Sequence, residues 1–242
     1  KPVIHAEGAY EAGYPAGYNL SMDYEFIDDD LVRLQAWTAY LHGAAGHTYG
    51  AHGVWPMYDP SFADPGHHDQ YTNPWYEDLL LEGSGDMQHI RDFFSDLEWH
   101  TLEPMSAYLL ADGQPVPIGD GAGYQHPSAM GRWGDTYIVY LPQGLTDSPV
   151  ALTNLGCKQY TAKWFNPRNG QYTSIQTPVA SETWTLPTRP DANDWVLLLE
   201  QILGSGSGVV APVVQPLDDA TINAGTRYTG PQPQLNSQAT CV

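Results

Sequence analysis

A carboxylate that follows a short apolar run and precedes glycine is placed to do chemistry, and Glu7 has that placement. Val3, Ile4, His5 and Ala6 read as a short strand that ends at Glu7-Gly8. In β/α barrels the C-terminal ends of the strands face the reacting groups. Cleaving an acetal takes two carboxyls. One attacks or assists at the anomeric carbon and the other protonates the leaving oxygen, at a separation of about 5–5.5 Å when configuration is retained. Glu7 supplies one such group, although its position alone does not distinguish it from a solvated loop acid. Tyr10 and Glu11 follow in the same loop, where they could meet substrate hydroxyls. His47, Tyr49, His52 and Trp55 lie at and just beyond a second short strand end, Gly46–Gly50. Their rings could form a platform for a sugar, since aromatic faces are apolar and their edges polar.

The elements that must hold these residues are legible from periodicity. Asp28, Asp29 and Asp30 supply a cap and first-turn acids for a helix whose apolar stripe is Leu31, Leu34, Trp37 and Leu41, and Gly43 ends it. Arg33 reads as a structural ion pair with nearby carboxylates. A loop rich in Pro, His, Tyr and Trp runs from Ala51 to about Gly83. A second helix then starts near Asp86 with Met87, Ile90, Phe94 and Leu97 on one face. From about Met105 short alternating segments recur, namely 137–140, 150–152, 160–165 and 195–199, separated by turns such as Asn166-Pro167 and Asn169-Gly170. That pattern predicts an antiparallel β-sandwich. The fold class expected is therefore α/β plus all-β. Residues 1–104 form two β/α units of a (β/α)8 barrel, residues 105–203 form the β-domain, and residues 204–242 form a linker-like tail opened by Gly-Ser-Gly-Ser-Gly. A whole barrel takes roughly 250 residues, so 242 residues cannot hold one together with a β-domain.

Composition removes several classes of function. With 28 acidic and 9 basic residues, a net charge of −19 repels phosphate backbones and anionic lipid, so neither nucleic acid nor membrane is an expected partner. No apolar run is long enough to span a bilayer. His67-His68-Asp69 lacks a third ligand, and adjacent histidines on a strand face opposite ways, so neither a metal nor a cofactor is expected. Asn19-Leu20-Ser21 is a glycosylation sequon, which agrees with a secreted, extracellular glycoprotein. In an oxidising compartment Cys157 and Cys241 could bridge the tail to the body.

Several ordered motifs carry a resemblance. Lys1-Pro2-Val3-Ile4-His5-Ala6-Glu7-Gly8-Ala9-Tyr10-Glu11 resembles the seventh-strand segment of the apiosidase-type glycoside hydrolases of family 140. Arg33–Trp37 followed by Gly43–Gly50 resembles the next helix and the eighth strand. Trp164–Gly170 and Asp194–Leu197 resemble a turn and the closing strand of that family's small β-domain. The resemblance spans residues 1 to about 203. It implies a retaining glycosidase with Glu7 as nucleophile, removing a terminal furanosyl group, most naturally β-apiosyl from plant glycosides or pectic side chains. Related barrels act on arabinofuranosides or galactofuranosides. The acid/base carboxylate would come from a fourth strand ahead of Lys1, so an N-terminal segment or companion chain is an expected partner beside the carbohydrate substrate. The competing expectation is a carbohydrate- or collagen-binding module without catalysis.

Overall fold

The computed structural model describes residues 1–14, 26–62, 73–117, 126–145, 149–179 and 181–202, with backbone only at 176–179. Asn19, His67, His68, Asp69, Cys241 and the tail 204–242 lie outside the described residues.

The chain starts as mixed α/β. Strand β1 (Ile4–His5), helix α1 (Asp29–Leu41), strand β2 (Gly46–His47), a one-turn helix α2 (Trp75–Asp78) and helix α3 (Glu82–Ser95) follow one another. β1 and β2 pair in parallel, with Ile4 opposite Gly46 and His5 opposite His47. α1 forms where expected. Asp28 is extended, and its side chain accepts a hydrogen bond from Leu31 N at 3.1 Å. Leu31, Leu34, Trp37 and Leu41 are all buried. α3 starts earlier than Asp86. Its N-cap position is Leu81, which has no capping side chain; a carboxylate from a distant loop takes that place.

Two antiparallel sheets follow. Their strands are β3 (Glu103–Pro104), β4 (Leu109–Ala111), β5 (Gln114–Pro115), β6 (Ser128–Arg132), β7 (Thr136–Leu141), β8 (Val150–Leu152), β9 (Tyr160–Asn166), β10 (Gln171–Val179), β11 (Trp184–Thr185) and β12 (Trp195–Gln201). The larger sheet has the order β10-β9-β12-β7-β6-β3 and the smaller β11-β8-β4-β5. Successive side chains on a strand point to opposite faces. Tyr137, Val139, Leu141, Leu197 and Leu199 of the larger sheet share a core with Leu109, Val150 and Leu152 of the smaller one.

The alternate residues Ile138, Tyr140, Phe165, Val196 and Leu198 share a second core with Leu31, Leu34 and Trp37 of α1 and Ile90, Phe93 and Phe94 of α3. β7 and β12 are thus apolar on both faces, which is why their sequences run as continuous hydrophobic stretches. The apolar stripes of α1 and α3 face the larger sheet. Trp37 stacks on Tyr140 at 5.8 Å and Phe93 meets Phe165 at 4.8 Å. Among the described residues the parallel strands number two, so a mixed α/β region followed by antiparallel sheets is what the structure displays. Val3 and Ile4 remain 66% and 59% exposed.

Candidate functional site

Glu7 leaves β1 at its C-terminal end and is exposed. Tyr10 Oη donates to its Oε1 at 2.8 Å, while Oε2 has no hydrogen-bond partner among the described residues. The turn that carries it is held from below. Ala9 N donates to Gln35 Oε1 on α1 at 2.9 Å. A Cβ on Gly8 would lie 2.6 Å from the same oxygen and 3.2 Å from His5 Cε1, so a side chain at this position would push the Gln35 carbonyl out of place.

His5 and His47, opposite each other on β1 and β2, stack with ring centroids 4.9 Å apart and share a proton between their Nδ1 atoms at 2.8 Å. Burial, and the neighbouring His5, push the His47 pKa down to about 4. His47 is therefore neutral at ordinary pH. Thr48 N donates to His5 O at 3.1 Å and Thr48 Oγ1 to Ala6 O, which closes the strand pair at the level of Glu7.

Glu11 and Tyr49 are not brought to this surface. Glu11 is buried, its Oε2 accepts from Tyr49 Oη at 2.6 Å, and its Oε1 accepts from Gly83 N at 3.3 Å. This is the missing cap of α3, since a carboxylate at a helix N-terminus satisfies an orphan N–H and faces the positive end of the dipole. Burial raises the Glu11 pKa, with the Tyr49 and Gly83 hydrogen bonds opposing. Tyr49 is correspondingly raised by burial and by Glu11. In place of the substrate contacts expected of Glu11 and Tyr49, the pair has each other. Backbone bonds from Glu11 N to Gly50 O at 2.9 Å and from His52 N to Glu11 O at 2.8 Å run the loop alongside β2. His52 is half-buried, with its ring under Gly13. Trp55 projects 68% exposed from the next turn, which Asp78 anchors by accepting from Gly53 N at 2.6 Å.

Behind the site lies a buried ion cluster. Arg33, fully buried, donates Nε to Asp194 Oδ2 at 2.8 Å and Nη2 to Asp194 Oδ1 at 3.1 Å. It also reaches Asp29 at 2.9 Å, Asp86 at 2.6 Å, and Asp30. Arg168 and Tyr140 Oη bind the same Asp194. Burial raises the Asp86 pKa to about 6 against the lowering effect of Arg33. A cleft lined by Asp28, Asp30, Tyr140, Gln143 and Asp194 adjoins the cluster, and Glu7 is not among its walls.

The sequence assigns no site role to Gln35, Gly8, His5, Asp78 or Asp86. Amide, glycine and buried acid side chains carry no spacing signal of their own. Only a repeat of i, i+4 or strand–turn type would have shown them. Cys157 is disulfide-bonded rather than free. No group of three or more His, Cys, Asp or Glu suited to a metal ion exists among the described residues.

Residues 1–101 match the family described as "Apiosidase-like, catalytic domain", and residues 118–200 match "Putative collagen-binding domain of a collagenase". A solved structure described as "Glycoside hydrolase" is similar at TM-score 0.64 and 22% identity, covering 83% of this chain and 42% of its own. A glycoside hydrolase family 5 structure from Bacteroides vulgatus ATCC 8482 is similar at TM-score 0.63 and 20% identity, covering 83% of this chain and 41% of its own. At those identities the likeness speaks to fold, and the chain spans about two fifths of the length of these structures. No curated protein matches the chain. The chain is thus similar to an apiosidase-like catalytic domain over residues 1–101 and to a putative collagen-binding domain over residues 118–200.

Proposed function

We propose that this chain contributes the nucleophile of a retaining glycoside hydrolase, with Glu7 as the attacking carboxylate. The observation that carries the reading is the placement of Glu7. It is exposed at the C-terminal end of a parallel strand, with one oxygen held by Tyr10 and the other open to a reacting carbon. In the first step Glu7 Oε2 attacks the anomeric carbon and the leaving oxygen takes a proton from a second carboxylic acid. In the second step water, deprotonated by that same group, displaces Glu7 with net retention. In this reading the neutral His47 at the end of β2 and the exposed Trp55 of the following turn line the approach of a sugar ring.

Further β/α units complete the barrel around β1 and β2 and bring the acid/base. The exposure of Val3 and Ile4, and the far greater length of the matched structures, support this. The substrate is a terminal furanoside, β-apiosyl first, in a secreted enzyme whose Asn19 carries glycan. The apiosidase-like match supports that choice. A purely binding role is disfavoured, because one face of the larger sheet is covered by α1 and α3 and the other by the smaller sheet.

The test is Glu7→Gly in the full-length protein, assayed with an activated aryl β-glycoside and azide. Rescue should give the α-glycosyl azide, the product expected when azide enters the place of the nucleophile. A β-azide would mean that Glu7 is the acid/base. An unimpaired variant would remove Glu7 from the chemistry.

A further inference from the structure

We infer that Gln35 is the positioning residue of the Glu7 turn, and that α1 ties this turn to the larger sheet through Arg33 and Asp194. The inference rests on Glu7 being the reacting carboxylate, but it concerns how that carboxylate is held. Gln35 is the one α1 side chain that hydrogen-bonds the turn among the described residues. Its Oε1 receives Ala9 N at 2.9 Å and sits where a Gly8 side chain would go. The turn is therefore shaped to close onto this oxygen. A backbone N–H bound to a carbonyl on a rigid helix fixes the peptide next to it, and Glu7 is two residues away. Its second tether, Tyr10 Oη, belongs to the same turn and cannot by itself fix the turn in space.

α1 in turn cannot drift. Two residues before Gln35, Arg33 makes a two-point bond with Asp194 at the head of β12 and a third bond with Asp86 of α3. The guanidinium plane fixes orientation as well as distance. α3 is tied to the same loop by Gly83 N and Glu11. The loop from Glu7 to Glu11 is thus gripped at both ends by helices keyed to one aspartate of the sheet. Catalytic geometry demands this kind of support, since a misplacement of about 1 Å can cost on the order of a hundredfold in rate.

The test uses Gln35→Met, which keeps length and loses the acceptor, and Gln35→Glu, which keeps an acceptor oxygen, both in the full-length enzyme. Gln35→Met should lower kcat about ten- to a hundredfold with KM changed less than about threefold, and Gln35→Glu should recover most of the loss. Amide hydrogen exchange reads the same device without reference to activity. The Ala9 amide should exchange about tenfold faster in Gln35→Met while α1 amides stay protected. Asp194→Asn should accelerate Ala9 exchange in the same direction. An unchanged Ala9 amide in Gln35→Met overturns the inference whatever the enzyme does. Equal losses in both Gln35 variants, with α1 deprotected, reduce Gln35 to a packing residue and overturn it too. An unchanged Ala9 amide in Asp194→Asn removes the link to the sheet. If Glu7→Gln is fully active while Ala9 exchange behaves as described, the nucleophile assignment has failed and the tether stands.

Discussion

Arg33 and Asp194 lie 161 positions apart in sequence and are joined by two hydrogen bonds, Nε to Oδ2 at 2.8 Å and Nη2 to Oδ1 at 3.1 Å. Both side chains are buried. The pair sits where α1, α3 and the head of β12 meet, and Asp86 and Tyr140 complete it. Breaking a buried ion pair from one side leaves the other charge uncompensated, which typically costs about 3–5 kcal/mol. Arg33→Met should therefore lower the unfolding free energy by about that amount. Arg33→Lys should recover only part of it, because an ammonium cannot span both oxygens of Asp194. Chemical denaturation of the three proteins would measure this, and a loss below about 1 kcal/mol, the range of a surface pair, would mean that the cluster is not an anchor.

Asp86 and His47 oppose each other as pH changes. The Asp86 carboxyl, raised to about 6 by burial, binds a proton more readily folded than unfolded, where its ordinary value is 3.8. Its stabilising contribution is present below pH 3.8 and is lost as pH rises through about 6. His47, lowered to about 4 from 6.5, contributes stability that is present above pH 6.5 and lost as pH falls through about 4. Asp86→Asn should leave a protein whose melting temperature climbs with pH between about 4 and 6.5. His47→Asn should leave one that loses stability over the same window. Identical profiles for the two variants would contradict both assignments.

Glu7 and Glu11 should separate activity from stability. Glu7 is exposed, so Glu7→Gln should leave the melting temperature unchanged while cutting turnover by several orders of magnitude. Glu11→Ala strands Tyr49 Oη and Gly83 N in a buried site and should cost about 1–3 kcal/mol of stability. The opposite ranking, with a stable but inactive Glu11 variant, would return Glu11 to the chemistry.

Cys157 should be paired with Cys241, the only other cysteine of the chain. Under denaturing, non-reducing conditions a thiol reagent should find no reactive group. Two free thiols would rule the bridge out, and a dimer resolved only by reductant would show that it joins two chains.

What could be read from the sequence follows from the range of the interaction. α1 was legible to its cap, because Asp28 and the stripe from Leu31 to Leu41 act within a few residues of one another. The strands around Tyr137–Tyr140 and Trp195–Leu199 were legible for the same reason. The start of α3 was not, since its cap is Glu11, brought from another part of the chain. The second apolar face of β7 and β12 could be seen as hydrophobic content but not as the seat of two helices. At the site, Glu7 could be singled out because it closes a short apolar strand, and Tyr10, which donates to it at 2.8 Å, because it follows in the same turn. Gln35 was hidden because its partner, the Ala9 amide, exists at every residue and marks none.

The shared core of α1, α3 and the larger sheet also bears on how such a chain can be inherited. A domain that shuffles freely between proteins must present a wettable surface at its joint. Here the joint is Ile138, Tyr140, Phe165, Val196 and Leu198 against Trp37, Phe93 and Phe94. Cutting between the two matched segments would open that aromatic and aliphatic layer to water on both pieces. Recombination that separates them meets a solubility barrier, which favours inheritance of the β-domain together with its helices.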